Sequence, residues 1–189
     1  MRNVAPKRRW LRFSLRTLLI AITIVCIWLG FELNRARARR TAILAVEDLG
    51  GTYGVHIMGP AWLRKMMGDD KCFYDAARVS FGPLTYRAKK DRPFDDDALR
   101  RSIEPLNTFT KFQTLDLVSS DISDAGLKHL KGLHNLETLR LTDTGVSDQG
   151  IDDLTDLKSL HRLQIERTKI TDEGIARLKA ALPDCEIIQ

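Results

Sequence analysis

The hydrophobic positions in the C-terminal part of the chain recur every 24 residues over residues 112–189. Leu139 and Leu141 alternate with polar residues, which predicts a short strand with one buried face. Ile151 and Leu154 are three residues apart and follow a Ser-Asp pair, which predicts a short helix with a capped N-terminus. One strand and one helix cannot bury their apolar faces alone, so stacked units that share a continuous core are expected.

The repeated positions resemble the leucine-rich repeat family, whose pattern is L-x-x-L-x-L-x-x-N/C-x-L. The match departs from that pattern at Ser120, Thr144 and Thr168, which stand where Asn or Cys is usual, although a hydroxyl can still bond the backbone of the turn. Residues 181–187 resemble the last-repeat ending common in bacterial members. The resemblance implies an α/β solenoid with parallel strands on one face and short helices on the other.

Upstream of the repeats, weaker patterns predict the start of this domain. Residues 76–81 and 94–103 resemble the strand and the helix of a degenerate first repeat, with a basic loop inserted over residues 82–93. Residues 51–75 are predicted to form an N-terminal α/β cap, because the first repeat would otherwise expose its apolar end. The repeat domain is therefore assigned to residues 76–189.

The N-terminal 50 residues carry a different pattern. An uncharged run of 15 residues from Thr17 to Phe31 spans about 22 Å as a helix, short of a hydrocarbon core of about 30 Å. Flanking apolar residues lengthen this run, which predicts a transmembrane signal anchor over residues 10–33 after a basic segment at 1–9. A helical stalk is predicted over residues 34–50, where Gly50 and Gly51 end it.

Alternatives to a signal anchor fit this segment less well. A cleaved signal peptide lacks an A-x-A-like site after the apolar run, and Val25 stands where a lipoprotein box before Cys26 needs a small residue. Six basic residues precede the run and four follow it, which favours a cytoplasmic N-terminus and places the repeats in the periplasm or an equivalent compartment. The basic start with residues 13–19 also resembles a class of short bacterial envelope proteins.

Charge and composition narrow the possible activities. The chain has a net charge of +5, but residues 1–40 hold ten of its 30 Lys and Arg and one of its 25 Asp and Glu, which leaves 20 basic and 24 acidic groups on residues 41–189. Nucleic-acid binding is therefore not expected of the repeat domain. His56, His129, His134 and His161 do not have metal-ligand spacing, and no nucleophile elbow or phosphate-binding glycine motif occurs. No enzymatic activity and no cofactor are predicted.

The resemblance implies that the side chains beside the strand leucines line a concave surface. Strand stacking brings Asp116, Arg140 and Gln164 into one row, where Asp116 and Arg140 can pair with each other. An ordinary polar sheet face remains the alternative to a binding surface. The candidate binding residues are Asp116, Thr138, Arg140, Thr142, Arg162, Gln164 and Glu166.

These patterns together predict a membrane-anchored, non-enzymatic recognition protein whose small repeat surface binds a protein or an envelope ligand. The alternative is a structural envelope component that associates laterally with other copies through its repeats. The fold hosts many functions, so the sequence does not identify the ligand.

Overall fold

The computed structural model describes residues 15–57, 74–82 and 94–189. Short 3₁₀ turns at Lys128–Gly132 and Asp148–Gly150 supplement the helices of two repeats. In chain order the helices and strands within these ranges are α1 (Leu15–Asp48), β1 (Thr52–Ile57), β2 (Tyr74–Ser80), α2 (Asp96–Asn107), β3 (Thr114–Asp116), α3 (Asp124–Leu127), β4 (Thr138–Arg140), α4 (Ile151–Thr155), β5 (Arg162–Gln164), α5 (Asp172–Ala181) and β6 (Glu186–Ile188).

The six strands form one sheet in the order β1-β2-β3-β4-β5-β6. Strands β2 to β6 are parallel to one another, whereas β1 runs antiparallel to β2 and shifts register between Gly54 and Val55. The parallel strands predicted from the repeat are therefore confirmed, and each occupies three residues in the regular units.

The core lies between the strands and the helical segments. Leu115, Leu139 and Leu163 lie opposite one another in adjacent strands and are fully buried. Leu127 and Ile151 from the helical segments belong to the same buried cluster. The alternation of leucines with polar residues therefore separates a buried face of the sheet from a polar face, as the period of two requires.

A tight turn follows each regular strand. Ser119, Asp143 and Arg167 have positive φ values between 53° and 62°, one in each unit. The residue after each of them carries a hydroxyl that donates to a carbonyl three residues earlier, and these hydroxyls belong to Ser120, Thr144 and Thr168. The hydroxyls thus bond the backbone of the turn, as predicted for the positions where Asn or Cys is usual.

Carboxylates at the start of three helical segments join one unit to the next. Asp124 accepts from the backbone N–H of Ser147 (2.8 Å) and from its hydroxyl (2.7 Å). Asp148 binds Thr171 in the same way, at 2.9 Å and 2.7 Å. The Ser or Thr that receives the carboxylate also caps its own helical segment. We call this series of contacts, which begins with Asp96 on Ser123, the carboxylate ladder.

One contact of the carboxylate ladder changes the pKa of a carboxyl group. The hydroxyl and the backbone N–H of Thr171 lower the pKa of Asp148 from its ordinary value of 3.8. A folded-state pKa below the unfolded value means that this stabilisation is present above the unfolded pKa and is lost as the pH falls through the folded pKa. Replacing Thr171 with Val removes the hydroxyl, so the Asp148 midpoint in an NMR titration of carboxyl carbons should rise towards 3.8. An unchanged midpoint in this variant would contradict the role of the hydroxyl.

Helix α1 extends over two compact units, residues 1–35 and 36–189. In the first unit its large apolar side chains, including Ile20, Ile24 and Ile27, are exposed. The helix is long and apolar enough to cross a membrane by length and composition.

In the second unit, the final turns of α1 are part of the domain that carries the repeats. Ala42, Ile43 and Val46 are buried in the same core cluster as the strand leucines, and Gly50 ends the helix with a φ of 79°. From Ala36 onwards, the stalk predicted over residues 34–50 therefore belongs to the same compact unit as the repeats. The physical reason is the three-to-four-residue spacing of its apolar side chains, which gives this part of the helix a face to bury.

The other upstream predictions are met only in part. Strand β2 covers the strand predicted at residues 76–81, and α2 begins at the predicted helix but continues to Asn107, because Leu106 extends its buried face. Strand β1 lies within the range predicted as the cap. Residues 58–73 of the predicted cap and residues 83–93 of the predicted basic loop lie outside the described residues.

Candidate functional site

The polar face of the sheet carries two rows of side chains that run across the strands. The residues of each row lie opposite one another in the register of β2 to β6. The first, which we call the arginine row, consists of Ser80, Asp116, Arg140, Gln164 and Ile188. The second, which we call the threonine row, consists of Arg78, Thr114, Thr138, Arg162 and Glu186.

The central side chains of the arginine row bond to one another. Arg140 donates from Nη1 to Asp116 Oδ2 (2.6 Å) and from Nε to Gln164 Oε1 (2.6 Å). The other carboxylate oxygen of Asp116 accepts from the backbone N–H of Val118 at 3.2 Å. The guanidinium thus spans three strands, and the predicted pairing of Asp116 with Arg140 is present. A ligand here would have to compete with bonds that the row already makes.

Among the described residues, the side chains of the threonine row make fewer hydrogen bonds to one another than those of the arginine row. Thr114 and Thr138 are half-buried, and neither hydroxyl bonds to another described residue. Arg162 Nε donates to Glu186 Oε2 at 2.8 Å, but both side chains are more than half exposed, at 53 % and 58 %. An exposed pair of this kind contributes little to stability, about 0–1 kcal/mol, so Arg162 is readily available to another acceptor. The exposed Arg78 lies at the other side of the threonines.

The last two candidate residues lie beyond the strands. Thr142 is only 7 % exposed, so it offers little surface to a ligand, contrary to the prediction from sequence. Its hydroxyl lies 3.4 Å from Glu166 Oε2, a long contact. Glu166 itself is exposed. Thr142 is a short side chain in the turn that follows β4.

Sequence reasoning missed a groove at the amino ends of the strands. Gln113 Nε2 donates to Glu137 Oε1 (2.7 Å), and His161 Nδ1 donates to the Ser159 carbonyl oxygen (2.8 Å). The signal was present in the sequence, because Gln113, Glu137 and His161 recur at the 24-residue interval. The groove has a volume of about 380 Å³ and is lined by Thr110, Lys111, Phe112, Gln113, Asn135, Glu137, Ser159 and His161.

The described residues hold no group of three or more His, Cys, Asp or Glu side chains that could bind a metal ion. The sheet face is instead an arrangement of hydroxyls, amides and paired charges. Such groups can hydrogen-bond a polypeptide or another polar ligand, with geometry fixed by the register of the strands.

A comparison with protein-family models agrees with the repeat pattern. Residues 110–131 and 132–154 match the family model described as Leucine Rich repeat. An internalin from Listeria monocytogenes is similar in structure, with 20 % sequence identity and a TM-score of 0.34. The similarity covers 45 % of this chain and only 30 % of the internalin chain.

A comparison with curated proteins finds no match. The similarity to leucine-rich repeats is therefore found in the two adjacent matching segments, whose strands are in register with their neighbours. Residues 110–154 are therefore leucine-rich repeats, within an α/β fold of parallel strands.

Proposed function

We propose that this chain is a membrane-anchored recognition protein that binds another protein through the polar face of its repeats. The single observation that carries the proposal is the threonine row. In this row the hydroxyls of Thr114 and Thr138, which bond to no other described residue, lie between Arg78 and Arg162 on a sheet of fixed register. Leucine-rich repeats are commonly protein-binding units, and a rigid row of exposed polar groups suits that use.

The two rows have different roles in this proposal. The arginine row fixes neighbouring strands relative to one another, because Arg140 bonds to the strands on both sides of it. The threonine row provides the contacts, since its arginines can pair with acidic side chains of a partner. Of the residues first proposed from sequence, Thr138, Arg162 and Glu166 are the contacting ones, and Asp116, Arg140 and Gln164 position them.

The anchor in this proposal is the apolar part of α1. Its exposed apolar side chains support insertion in a bilayer, and the excess of basic residues before it supports a cytoplasmic N-terminus. The repeats would then lie in the periplasm or an equivalent compartment of the cell envelope. The domain needs no cofactor for this role, and residues 51–75 would serve as the cap of a short solenoid.

Site-specific photo-crosslinking tests the surface. A photoreactive residue at Thr138 in the full chain, irradiated in membranes, should yield a discrete adduct with a second protein. Charge reversal by Arg162→Glu should lower the yield of that adduct about tenfold, because losing one charged contact costs about 1.4 kcal/mol or more. The matched control is Arg177→Glu, an exposed arginine on α5 that pairs with Asp152.

The outcomes separate the alternatives. An adduct whose yield is the same in the Arg162→Glu variant would show that the threonine row is not the contact surface. An adduct with the mass of two copies of the chain would favour lateral self-association of a structural envelope component instead. The Arg177→Glu control should leave the yield unchanged.

A further inference from the structure

Arg39 is a buried cation that pairs with none of the described residues. The residue is 8 % exposed and belongs to the face of α1 that also buries Ala42, Ile43 and Val46. Within the described part of the chain its guanidinium donates no hydrogen bond and forms no ion pair. Burying an unpaired charge is unfavourable, because the lost hydration is not replaced, so an anion bound to Arg39 would stabilise the folded chain.

The neighbouring sequence indicates the source of that anion. Arg37 and Arg40 are exposed on the same stretch of helix. Arg37, Arg39 and Arg40 follow Leu33, the end of the predicted anchor, by four to seven residues. In a chain anchored by that segment, so short a connection keeps these three cations close to the phospholipid headgroups at the bilayer surface.

We infer that Arg39 binds the phosphate of an anionic phospholipid headgroup, with Arg37 as an additional cation. A guanidinium presents paired N–H donors that match phosphate oxygens, and shielding from water strengthens the bond. The long aliphatic stem of Arg39 can stay on the apolar face of α1 while its guanidinium turns towards the headgroup. The inference rests on the membrane anchoring in the proposed function and does not depend on the threonine row.

Thermal unfolding of the full chain in nanodiscs tests the site. Discs of phosphatidylcholine, with and without phosphatidylglycerol, supply the neutral and the anionic surface. Phosphatidylglycerol should raise the Tm of the wild-type chain by about 5 °C, the shift expected when a ligand binds only the folded state. Arg39→Gln should melt at or above the wild type in neutral discs, since an unpaired buried charge has been removed, and should gain nothing from phosphatidylglycerol.

Further variants keep the test decisive. Arg37→Gln changes an exposed side chain and should retain the fold while showing a smaller gain from phosphatidylglycerol. Lys179→Gln, an exposed cation on α5, should keep the full gain. Equal gains in the wild type and the Arg39→Gln variant would overturn the headgroup site, as would an equal gain from inorganic phosphate in neutral discs.

Carbonate extraction of membranes separates this inference from the proposed function. A chain released by carbonate is not an integral membrane protein, and the anchoring would then fail together with the headgroup site. A chain that stays in the membrane but gains no stability from phosphatidylglycerol would overturn the headgroup site alone.

Discussion

Leu139→Ala should lower the free energy of unfolding by about 3 kcal/mol, within the range of about 2–5 kcal/mol measured for such truncations in protein cores. Leu139 is fully buried and lies between Leu115 and Leu163, which are also fully buried. Its neighbours are fixed in place by the backbone bonds of strands on both sides, so they cannot collapse into the cavity that the truncation leaves.

Pulse proteolysis of the full chain in urea measures this loss, because the unfolded repeats are cleaved while the folded repeats resist. Ile187 is the matched control, since it occupies the same register position in β6 but is only partly buried. Ile187→Ala should cost about 1 kcal/mol, in proportion to the smaller apolar area that it removes from water. Equal losses at the two positions would contradict a core centred on the regular repeats.

Gly126→Ala should destabilise the fold by about 1–3 kcal/mol, although alanine is the better helix former by about 1 kcal/mol. A Cβ at Gly126 would lie 2.2 Å from Asp96 Oδ1, far inside van der Waals contact. The carboxylate cannot simply rotate away, because it accepts from the backbone N–H of Ser123 (2.9 Å) and from its hydroxyl (2.5 Å). The clash and the loss of these bonds outweigh the gain in helix propensity.

A double-mutant cycle isolates this effect. Asp96→Ala alone should cost about 2 kcal/mol, the value of hydrogen bonds to a charged group. The Gly126→Ala, Asp96→Ala variant should be more stable than the sum of the single changes implies by about 1–2 kcal/mol, because no carboxylate remains for the new Cβ to meet.

The equivalent cycle at Gly150 and Asp124 is the control. A Cβ at Gly150 also meets Leu127 Cδ1 at 2.5 Å, so removing the Asp124 carboxylate leaves a second obstruction. The coupling there should be smaller. Additive changes at the Gly126 and Asp96 pair would show that the carboxylate does not determine the need for glycine.

The repeat pattern was sufficient to predict the parts of the fold that depend on local periodicity. Alternation around Leu139 gave the buried face of the strand, and a shift of 24 residues then gave its neighbours Leu115 and Leu163. The same register placed Asp116, Arg140 and Gln164 in one row. These features follow directly from the pattern because each unit packs mainly against the next.

Contacts between units were harder to predict than the units themselves. The Ser-Asp pairs at Ser123-Asp124 and Ser147-Asp148 were interpreted as helix caps, but the carboxylate of each pair binds the Ser or Thr of the following unit. The spacing of Asp and Gly, two residues apart in each unit, was the available signal. Its meaning depends on a separation in space that the sequence does not provide.

The exposure of side chains on the polar face of the sheet could not be predicted from the alternation alone. Thr138 and Thr142 have the same alternation in the sequence, yet Thr138, within β4, is half-buried and Thr142, in the turn after β4, is buried. Arg78 was missed because its strand belongs to a degenerate unit with little sequence signal. The final turns of α1 were predicted as a stalk, although Ala42, Ile43 and Val46 already had the spacing of a buried face.

The carboxylate ladder makes the junctions between units interchangeable. Asp124 on Ser147 and Asp148 on Thr171 use the same donors and acceptors at almost the same distances, and a glycine two residues after each aspartate leaves room for the preceding carboxylate. A duplicated 24-residue segment inserted at such a junction would meet its proper contact on both sides. The length of the sheet can therefore change by whole units through gene duplication, without any new junction having to arise.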